Sequence, residues 1–367
     1  MFEEQLGTFV NKRLYSSQEN FPFREVMLYG AGGRGRSVAK FFARRGIRVL
    51  RFFDSNRALH GKLVEGVPCL PPADVPLYPD TPLLVTSYKA MDIGVTLLQM
   101  GVSGFYHDFH VSARFFEPDL LETHGERIAR VHDALADEAS RRAYLSVIKS
   151  TVTGEDGFLE PSGYYRYHHP ATLPVPGDTI VDGGAYDGTT AREFASMCGG
   201  RCRIFSFEPF PESYRLLEAS LRDQELAKIV TPACKGLWSG EGELRFDTGY
   251  DTAEAFRMDQ AGDTCVEVVS LDGCLPPDTR VDMIKLDVEG SELEALKGGV
   301  GVLRRWRPKL QICLYHKLED LWTIPEYLLS LDLGYTFYLG HSNTVMLDTV
   351  LYAAVRPEHA NADPAAS

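Results

Sequence analysis

The stretch with the strongest chemical pattern is residues 179–208, which combines a glycine turn with an acidic residue. A β-branched run at 179–181 is followed by Asp-Gly-Gly-Ala-Tyr-Asp-Gly at 182–188, a turn that only small residues allow. An apolar run at 204–207 then ends at Glu208. In a βαβ unit of this kind, the acid at the tip of the second strand accepts hydrogen bonds from the two ribose hydroxyls. The pattern therefore predicts a nucleoside site.

The turn also indicates which nucleoside is bound. It lacks the G-x-G-x-x-G spacing that presents a helix N-terminus to a pyrophosphate, and it places Asp182 and Asp187 near its two ends. Two carboxylates repel phosphate, but they suit a ligand with an ammonium and a sulfonium group, which is S-adenosylmethionine. The alternative is that both acids only brace the turn. Gly236, in a later Cys-Lys-Gly-Leu-Trp segment, is expected to expose its backbone to the adenine ring.

A second group of acids follows a later apolar strand. Residues 281–286, Val-Asp-Met-Ile-Lys-Leu, run into Asp287 and Glu289, and the lysine inside this strand needs a buried partner. Open α/β sheets bind ligands where the carboxyl ends of their parallel strands meet, so we expect both acids beside Asp182. Helix capping is the alternative interpretation of acids at this place, and it suits Glu292 best.

Composition limits the function of the remaining chain. With 367 residues, 44% hydrophobic and 24% charged, the sequence is typical of a globular chain of about two domains. A formal net charge of −13 argues against a nucleic-acid partner, which needs a basic face. The seven cysteines are scattered and odd in number, which favours reduced thiols in a cytoplasmic protein. No apolar h-region follows the N-terminus and no run reaches the ~18 residues of a membrane span, so no membrane partner is expected.

The N-terminal half contains a dinucleotide-fold fingerprint. A strand at 26–29 leads into Gly-Ala-Gly-Gly-Arg-Gly at 30–35, a helix follows, and the next strand ends at Asp54, about twenty residues after the glycines. Such glycines also persist where only the turn and the helix–strand contact need them. A structural or nucleotide-sugar-binding Rossmann-like unit is therefore favoured, and a nicotinamide-dependent oxidoreductase is the alternative function.

The C-terminal motifs resemble a known family. Asp-Gly-Gly-Ala at 182–185, Phe-Glu-Pro at 207–209 and Ile-Lys-Leu-Asp-Val-Glu-Gly-Ser-Glu at 284–292, in this order and spacing, are similar to the FkbM-type S-adenosylmethionine-dependent methyltransferases. The similarity covers about residues 151–357. It implies a seven-stranded methyltransferase sheet and O-methylation of a sugar, polyketide or other hydroxylated small molecule. The expected cofactor-binding residues are Asp182, Gly183, Gly184, Ala185, Gly188, Glu208, Pro209, Gly236 and Asp287.

Methyl transfer is an in-line displacement at the sulfonium methyl, which requires a positioned acceptor oxygen and removal of its proton. His316 follows a strand at 310–314 and is the expected general base, at the same sheet edge as Asp287 and Glu289. Glu289 is expected to orient His316 or to bind an acceptor hydroxyl. In a second variant, Asp287, Glu289 and His316 hold a divalent ion, whereas the favoured variant uses no metal.

The expected fold is α/β with two doubly wound domains. The predicted boundaries are a Rossmann-like nucleotide-binding-type domain at 22–110, a helical linker at 111–150, a seven-stranded Rossmann-like methyltransferase domain at 151–357 and a disordered tail at 358–367. The linker is expected to contain one amphipathic helix over 122–149. The expected partner is a saccharide or other small-molecule acceptor, and a homo-oligomer is left open.

Overall fold

The computed structural model describes most of the chain, in nine ranges: 23–44, 46–87, 90–102, 105–107, 120–153, 159–247, 257–258, 264–342 and 348–355. The predicted tail at 358–367 lies outside them. The described residues divide into two compact units. Unit 1 contains those that fall within 1–125 and 146–159, and unit 2 contains those that fall within 126–145, 160–343 and 347–367. Within the described ranges, no helix is long and apolar enough to cross a membrane. The finer domain boundaries given above stay a prediction.

Unit 1 is built on a six-stranded sheet. Its strands are β1 (Glu25–Tyr29), β2 (Arg48–Phe53), β3 (Leu63–Val64), β4 (Val67–Leu70), β5 (Leu83–Val85) and β6 (Phe105–His107). Their order is β3-β4-β2-β1-β5-β6, and only β3 and β4 pair antiparallel. Val26 and Leu28 lie in one buried apolar cluster and Met27 and Tyr29 in another. Both faces of β1 are therefore covered, as in a doubly wound sheet.

The glycine turn of unit 1 is held by its own chain. Asp54, which follows β2, accepts a hydrogen bond from Ala31 N at 2.6 Å and one from Asn56 N at 2.7 Å. A Cβ on Gly35 would lie 1.8 Å from Gly30 O, so the helix packs against the turn only with glycine at this position. Local packing thus accounts for the fingerprint, and nucleotide binding by unit 1 stays a prediction.

Unit 2 contains the larger sheet. Its strands are β7 (Thr179–Gly183), β8 (Arg203–Phe207), β9 (Val230–Ala233), β10 (Gly236–Leu237), β11 (Gly242–Asp247), β12 (Arg257–Met258), β13 (Thr264–Val269), β14 (Met283–Leu286), β15 (Lys309–Cys313), β16 (Tyr335–His341) and β17 (Thr349–Val355). Seven of them form a sheet of order β16-β17-β15-β14-β7-β8-β9. Strand β17 is antiparallel to its two neighbours, β16 and β15, and the four remaining pairs are parallel. The predicted α/β class and seven-stranded sheet are confirmed. The four remaining strands form a side sheet of order β10-β13-β11-β12.

The helices are α1 (Gly33–Arg44), α2 (Ala90–Gln99), α3 (Leu120–Ala134), α4 (Glu138–Thr153), α5 (Thr189–Met197), α6 (Pro211–Ser220), α7 (Gln224–Ala227), α8 (Leu271–Cys274), α9 (Glu292–Gly298), α10 (Val300–Trp306) and α11 (Asp320–Ser330). The prediction of one helix over 122–149 is wrong, because α3 and α4 are separate helices. Between them, Leu135 forms a bridge with Phe337 of β16, and Ala136 N donates to Phe337 O at 2.8 Å. Pairing with the sheet edge therefore replaces the helical hydrogen bonds at this point.

Strand β14 carries a buried lysine whose partner lies on the neighbouring strand. The Nζ of Lys285 donates to Gly183 O at 3.0 Å and to Gly184 O at 2.7 Å, and it lies 3.0 Å from Asp182 Oδ1. Burial lowers the pKa of Lys285, but Asp182 and Asp287 raise it by more, so the lysine stays charged. The predicted need for a buried partner is confirmed.

Lys285→Met is expected to lower the free energy of unfolding by about 3–5 kcal/mol, because it leaves Asp182 buried and unpaired. Urea unfolding followed by circular dichroism measures this loss. The matched control is Lys297→Met on α9, where the lysine pairs with Glu294 at the surface. An exposed pair of this kind contributes at most about 1 kcal/mol. Equal losses in the two variants would contradict the role given to Lys285.

Candidate active site

The glycine turn after β7 lies directly against the chain that follows β14. Gly184 has a φ of +74°, and a Cβ on it would lie 1.8 Å from Asp287 O. Asp287 N donates to Gly183 O at 3.1 Å. Because the backbone of Asp287 approaches so closely, only glycine fits at Gly184, whether or not a ligand also binds here.

The other residues predicted to bind the cofactor surround this contact. Asp182, Gly183, Ala185, Gly188, Glu208 and Gly236 are buried, whereas Gly184, Pro209 and Asp287 are partly exposed. The carboxylate of Asp182 has no exposed surface and pairs with Lys285. It can contact a ligand only if the turn moves, and in the described geometry it stabilises the lysine that binds the turn carbonyls. The cofactor contacts themselves stay a prediction.

Glu208 lies at the end of β8, beside the turn. Its Oε2 accepts a hydrogen bond from Tyr186 N at 2.9 Å, and its Oε1 accepts one from Phe210 N at 3.0 Å. Burial raises the pKa of Glu208, and these two hydrogen bonds oppose the shift. Each carboxylate oxygen keeps capacity for a further donor. Tyr186 has a φ of +48°, an uncommon conformation for a residue other than glycine, and Glu208 holds it there.

Asp287 is the centre of a hydrogen-bond cluster at the carboxyl edge of β14. Its Oδ2 accepts a hydrogen bond from Tyr167 Oη at 2.8 Å, and its Oδ1 accepts one from Tyr315 Oη at 2.7 Å. Burial raises the pKa of Asp287, but Lys285 and His316 lower it by more, to well below the usual range. Asp287 is therefore a carboxylate at any physiological pH.

His316 follows β15 and lies at the same edge. Its Nδ1 is 2.7 Å from Glu292 Oε1, and its Nε2 is 3.4 Å from Asp287 Oδ1 and 3.5 Å from Glu289 Oε2. The expectation that His316, Asp287 and Glu289 meet at one edge of the sheet is confirmed, while their catalytic roles stay a prediction. Burial lowers the pKa of His316, but the three carboxylates raise it by more, to about 9. The ligand-free protein therefore holds an imidazolium, which must lose a proton before it can act as a base.

Glu292, expected to cap a helix, lies in the site instead, against His316. The side chain is fully buried, and its Oε1 accepts a hydrogen bond from Val288 N at 2.9 Å as well as facing His316. A signal was available, because Glu292 precedes the inward-facing Leu296 by four residues and so lies on the same face of α9. An acid on the buried face of a helix needs a partner.

Two tyrosines and an arginine around Asp287 were also missed. The Nη1 of Arg166 lies 3.2 Å from Tyr315 Oη and 3.2 Å from Asp348 Oδ1. The guanidinium also stands over the ring of Tyr167, whose φ is +66°. These contacts join segments that are far apart in the sequence, so no spacing pattern predicts them.

Raising the pH is expected to weaken folding of the ligand-free protein. The pKa of His316 is about 9 in the folded state against an ordinary value of 6.5, so its contribution to stability is complete below pH 6.5 and is lost as the pH rises through 9. The pKa of Asp320 is raised from 3.8 to about 7 by burial and by Glu292, so its contribution to stability is likewise lost as the pH rises, over this lower range. Midpoints of urea unfolding, measured between pH 6.5 and 9 in the presence of a chelator, test this prediction. His316→Asn should flatten the upper part of the profile, and an unchanged profile would contradict the assignment.

Comparison with known proteins places these motifs in one domain. Residues 182–337 match the family described as Methyltransferase FkbM domain. The chain is 31% identical over 134 residues to hexuronic acid methyltransferase AglP of Haloferax volcanii, a match that covers 35% of this chain and 52% of that protein. It is 23% identical over 180 residues to 2-O-methyltransferase NoeI of Sinorhizobium fredii, over 41% of this chain and 70% of that protein. The match thus spans only about half the length of AglP.

A crystal structure of Methyltransferase FkbM from Methylobacillus flagellatus KT has the same fold. The two structures superpose with a TM-score of 0.59 over 96% of this chain and 98% of that one, at 20% sequence identity. At this identity the likeness concerns the fold alone. The C-terminal half of the chain therefore contains a methyltransferase FkbM domain, at residues 182–337.

Proposed function

We propose that this chain is an S-adenosylmethionine-dependent methyltransferase that methylates a hydroxyl oxygen of a saccharide or a related small molecule. The observation that carries the proposal is the FkbM domain at 182–337, which contains Glu208 and the edge formed by Asp287, Glu289 and His316. The name of AglP describes a hexuronic acid methyltransferase, and the name of NoeI describes transfer to an oxygen. Both support an oxygen acceptor, and the first supports a saccharide.

The cofactor is inferred from the groups around the glycine turn. Glu208 stands where a ribose would bind, and each of its oxygens can accept a hydroxyl in addition to its backbone amide. Pro209 and Gly236 lie side by side, since a Cβ on Gly236 would be 3.5 Å from Pro209 Cβ. This supports the predicted place of the adenine ring. Of the two acids in the turn, Asp182 is buried and paired with Lys285, so the partly exposed Asp187 is the one that favours the ammonium and sulfonium of the methyl donor over a phosphate.

The acceptor is proposed to bind at the edge formed by Asp287, Glu289 and His316. The side chains of Asp287 and Glu289 are 16% and 22% exposed, whereas that of His316 is 3% exposed, so the two carboxylates form the open side. Hydroxyl groups of an acceptor can donate to them, which would orient the attacking oxygen. His316 or Glu289 then removes the hydroxyl proton, a contribution of about 10²–10⁴-fold to the rate.

Mass spectrometry of candidate glycans tests the proposal. The protein is incubated with S-adenosylmethionine and neutral or uronic-acid-containing saccharides, and the products are searched for a gain of one methylene. Mild alkali removes a methyl ester but not a methyl ether, so it separates a carboxylate acceptor from a hydroxyl acceptor. An ether is the expected product. A chain that neither binds S-adenosylhomocysteine in calorimetry nor methylates any acceptor would contradict the proposal.

The fingerprint of unit 1 gives no competing proposal. The carboxyl oxygens of Asp54 accept the amides of Ala31 and Asn56, the same arrangement as at Glu208, so it is the family match at 182–337 that favours the turn of unit 2 as the cofactor site. Titration with NADH keeps the alternative testable: fluorescence enhancement that is lost in Asp54→Ala would support a nicotinamide site.

A further inference from the structure

We infer that the ring of Tyr186 forms a wall of the cofactor site and packs against the ribose of the bound methyl donor. The inference rests on the proposed function, because it takes Glu208 as the residue that binds the ribose hydroxyls. It adds to the glycine turn at 182–188 a binding residue that the sequence motifs did not indicate. The contact would be apolar, made by the ring and not by the phenolic hydroxyl.

The first observation is the backbone conformation of Tyr186. Its φ of +48° lies in the left-handed region, which suits glycine and is unfavourable for a residue with a bulky side chain. The turn uses glycine at its two other left-handed positions, Gly184 with a φ of +74° and Gly188 with a φ of +83°. Tyr186 is therefore the exception within its own turn. Backbone outliers of this kind cluster at ligand sites, where the surrounding structure holds them in place.

The second observation is that Glu208 holds this conformation. The Oε2 of Glu208, which is 5% exposed, accepts a hydrogen bond from Tyr186 N at 2.9 Å. A carboxylate oxygen has room for a second donor, which the proposed function identifies as a ribose hydroxyl. The amide of Tyr186 and the ribose would then share one acceptor. Residue 186 thus lies directly beside the ribose.

The third observation is that contacts within the chain do not account for the place of the Tyr186 ring. The residue is 48% exposed, and the structure gives its side chain neither a hydrogen bond nor a ring contact among the described residues. Tyr167 is also left-handed, with a φ of +66°, but its ring is buried against Phe194 and its hydroxyl donates to Asp287 at 2.8 Å. Packing therefore compensates for the conformation of Tyr167, whereas a bound ligand would compensate for that of Tyr186.

The ribose of the methyl donor suits an aromatic ring at this place. Its two hydroxyls would donate to Glu208, and its C–H groups leave an apolar surface that a ring can cover. Ligand sites commonly combine a few well-placed polar groups with aromatic walls. Tyr186 is the one aromatic residue in the segment 182–188, whose other members are glycine, alanine and aspartate. No other side chain of the turn could form such a wall.

Calorimetry with S-adenosylhomocysteine on the full chain tests the inference with variants that suit the backbone. Tyr186→Asn and Tyr186→Gly remove the ring, but both residue types accept the left-handed region, so the midpoint of urea unfolding should not fall. Each is expected to weaken S-adenosylhomocysteine binding about tenfold or more, whereas Tyr186→Phe keeps the ring and should bind within about twofold of the wild type. The matched control is Asp332→Gly, at a φ of +51° just after α11, which should leave affinity unchanged.

Nitration of tyrosines with tetranitromethane, followed by peptide mass spectrometry, reports on the ring itself. Saturating S-adenosylhomocysteine is expected to slow nitration of Tyr186, because the ligand would cover its exposed face. Tyr78 of unit 1, which is also partly exposed, serves as the internal control and should react at an unchanged rate. Equal nitration of Tyr186 with and without the ligand would overturn the contact.

Failure of the ring contact is distinguishable from failure of the proposed function. A wild-type chain that binds no S-adenosylhomocysteine would contradict both. Wild-type affinity in Tyr186→Asn and Tyr186→Gly would overturn the ring contact alone, since the cofactor would still bind. A loss in Tyr186→Phe as large as that in Tyr186→Asn would overturn it too, because the hydroxyl and not the ring would then make the contact.

Discussion

His316→Asn is expected to lower kcat for methyl transfer by about 10²–10⁴-fold, with S-adenosylhomocysteine binding nearly unchanged. Asparagine is the informative replacement because its amide nitrogen takes the place of the ring Nδ1, which lies 2.7 Å from Glu292. The variant therefore keeps the contact with Glu292 and removes Nε2. Both roles considered for His316, general base and cation ligand, need Nε2.

Steady-state kinetics with an acceptor that the protein methylates measure the effect. The dependence of the rate on pH and on chelator separates the two roles. A general base with a pKa of about 9 gives a rate that rises with pH up to that value and does not respond to chelator. A cation ligand gives a rate that chelator abolishes and Mn²⁺ restores. His168→Asn is the matched control, because this histidine in the same unit faces Glu193 at 3.3 Å, away from the carboxylates around His316. An unchanged kcat in His316→Asn would exclude both roles.

Glu208→Ala is expected to weaken S-adenosylhomocysteine binding by about 10²-fold or more. Two ribose hydroxyls would lose a charged acceptor, and each such hydrogen bond contributes about 1.5–3 kcal/mol. The variant also leaves Tyr186 N and Phe210 N without their acceptor, which costs about 1–3 kcal/mol of stability for the buried amide of Phe210 and less for the partly buried amide of Tyr186. Calorimetry must therefore be combined with a thermal melt, so that affinity is compared between folded proteins.

The chain offers its own control for Glu208. Asp54 stands at the end of the second strand of unit 1 and likewise accepts an amide of the preceding glycine turn, from Ala31 at 2.6 Å. Asp54→Ala should leave S-adenosylhomocysteine affinity unchanged. If affinity falls in Asp54→Ala and not in Glu208→Ala, the methyl donor binds in unit 1, and the assignment of the two glycine turns must be reversed.

Sequence patterns predicted a secondary-structure element correctly where the residues that form the element also lie within one short segment. The β-branched run before Asp182 and the apolar runs before Glu208 and Asp287 each form a strand of the seven-stranded sheet. Asp182, Glu208 and Asp287 therefore lie at or directly beside the end of a strand, as expected. The single predicted helix over 122–149 failed because its break combines a distant contact, with Phe337, and a local cap, in which Asp137 accepts the amide of Ser140.

The sequence by itself determined the two α/β sheets, the glycine turns and the edge at which Asp287, Glu289 and His316 meet, because periodicity and turn chemistry act over a few residues. Only the tertiary structure decided the environment of that edge. The three carboxylates lie within residues 287–292, and the fold buries them against His316, which follows β15. Electrostatic interactions depend on distance in space and on the surrounding dielectric, which sequence spacing does not record.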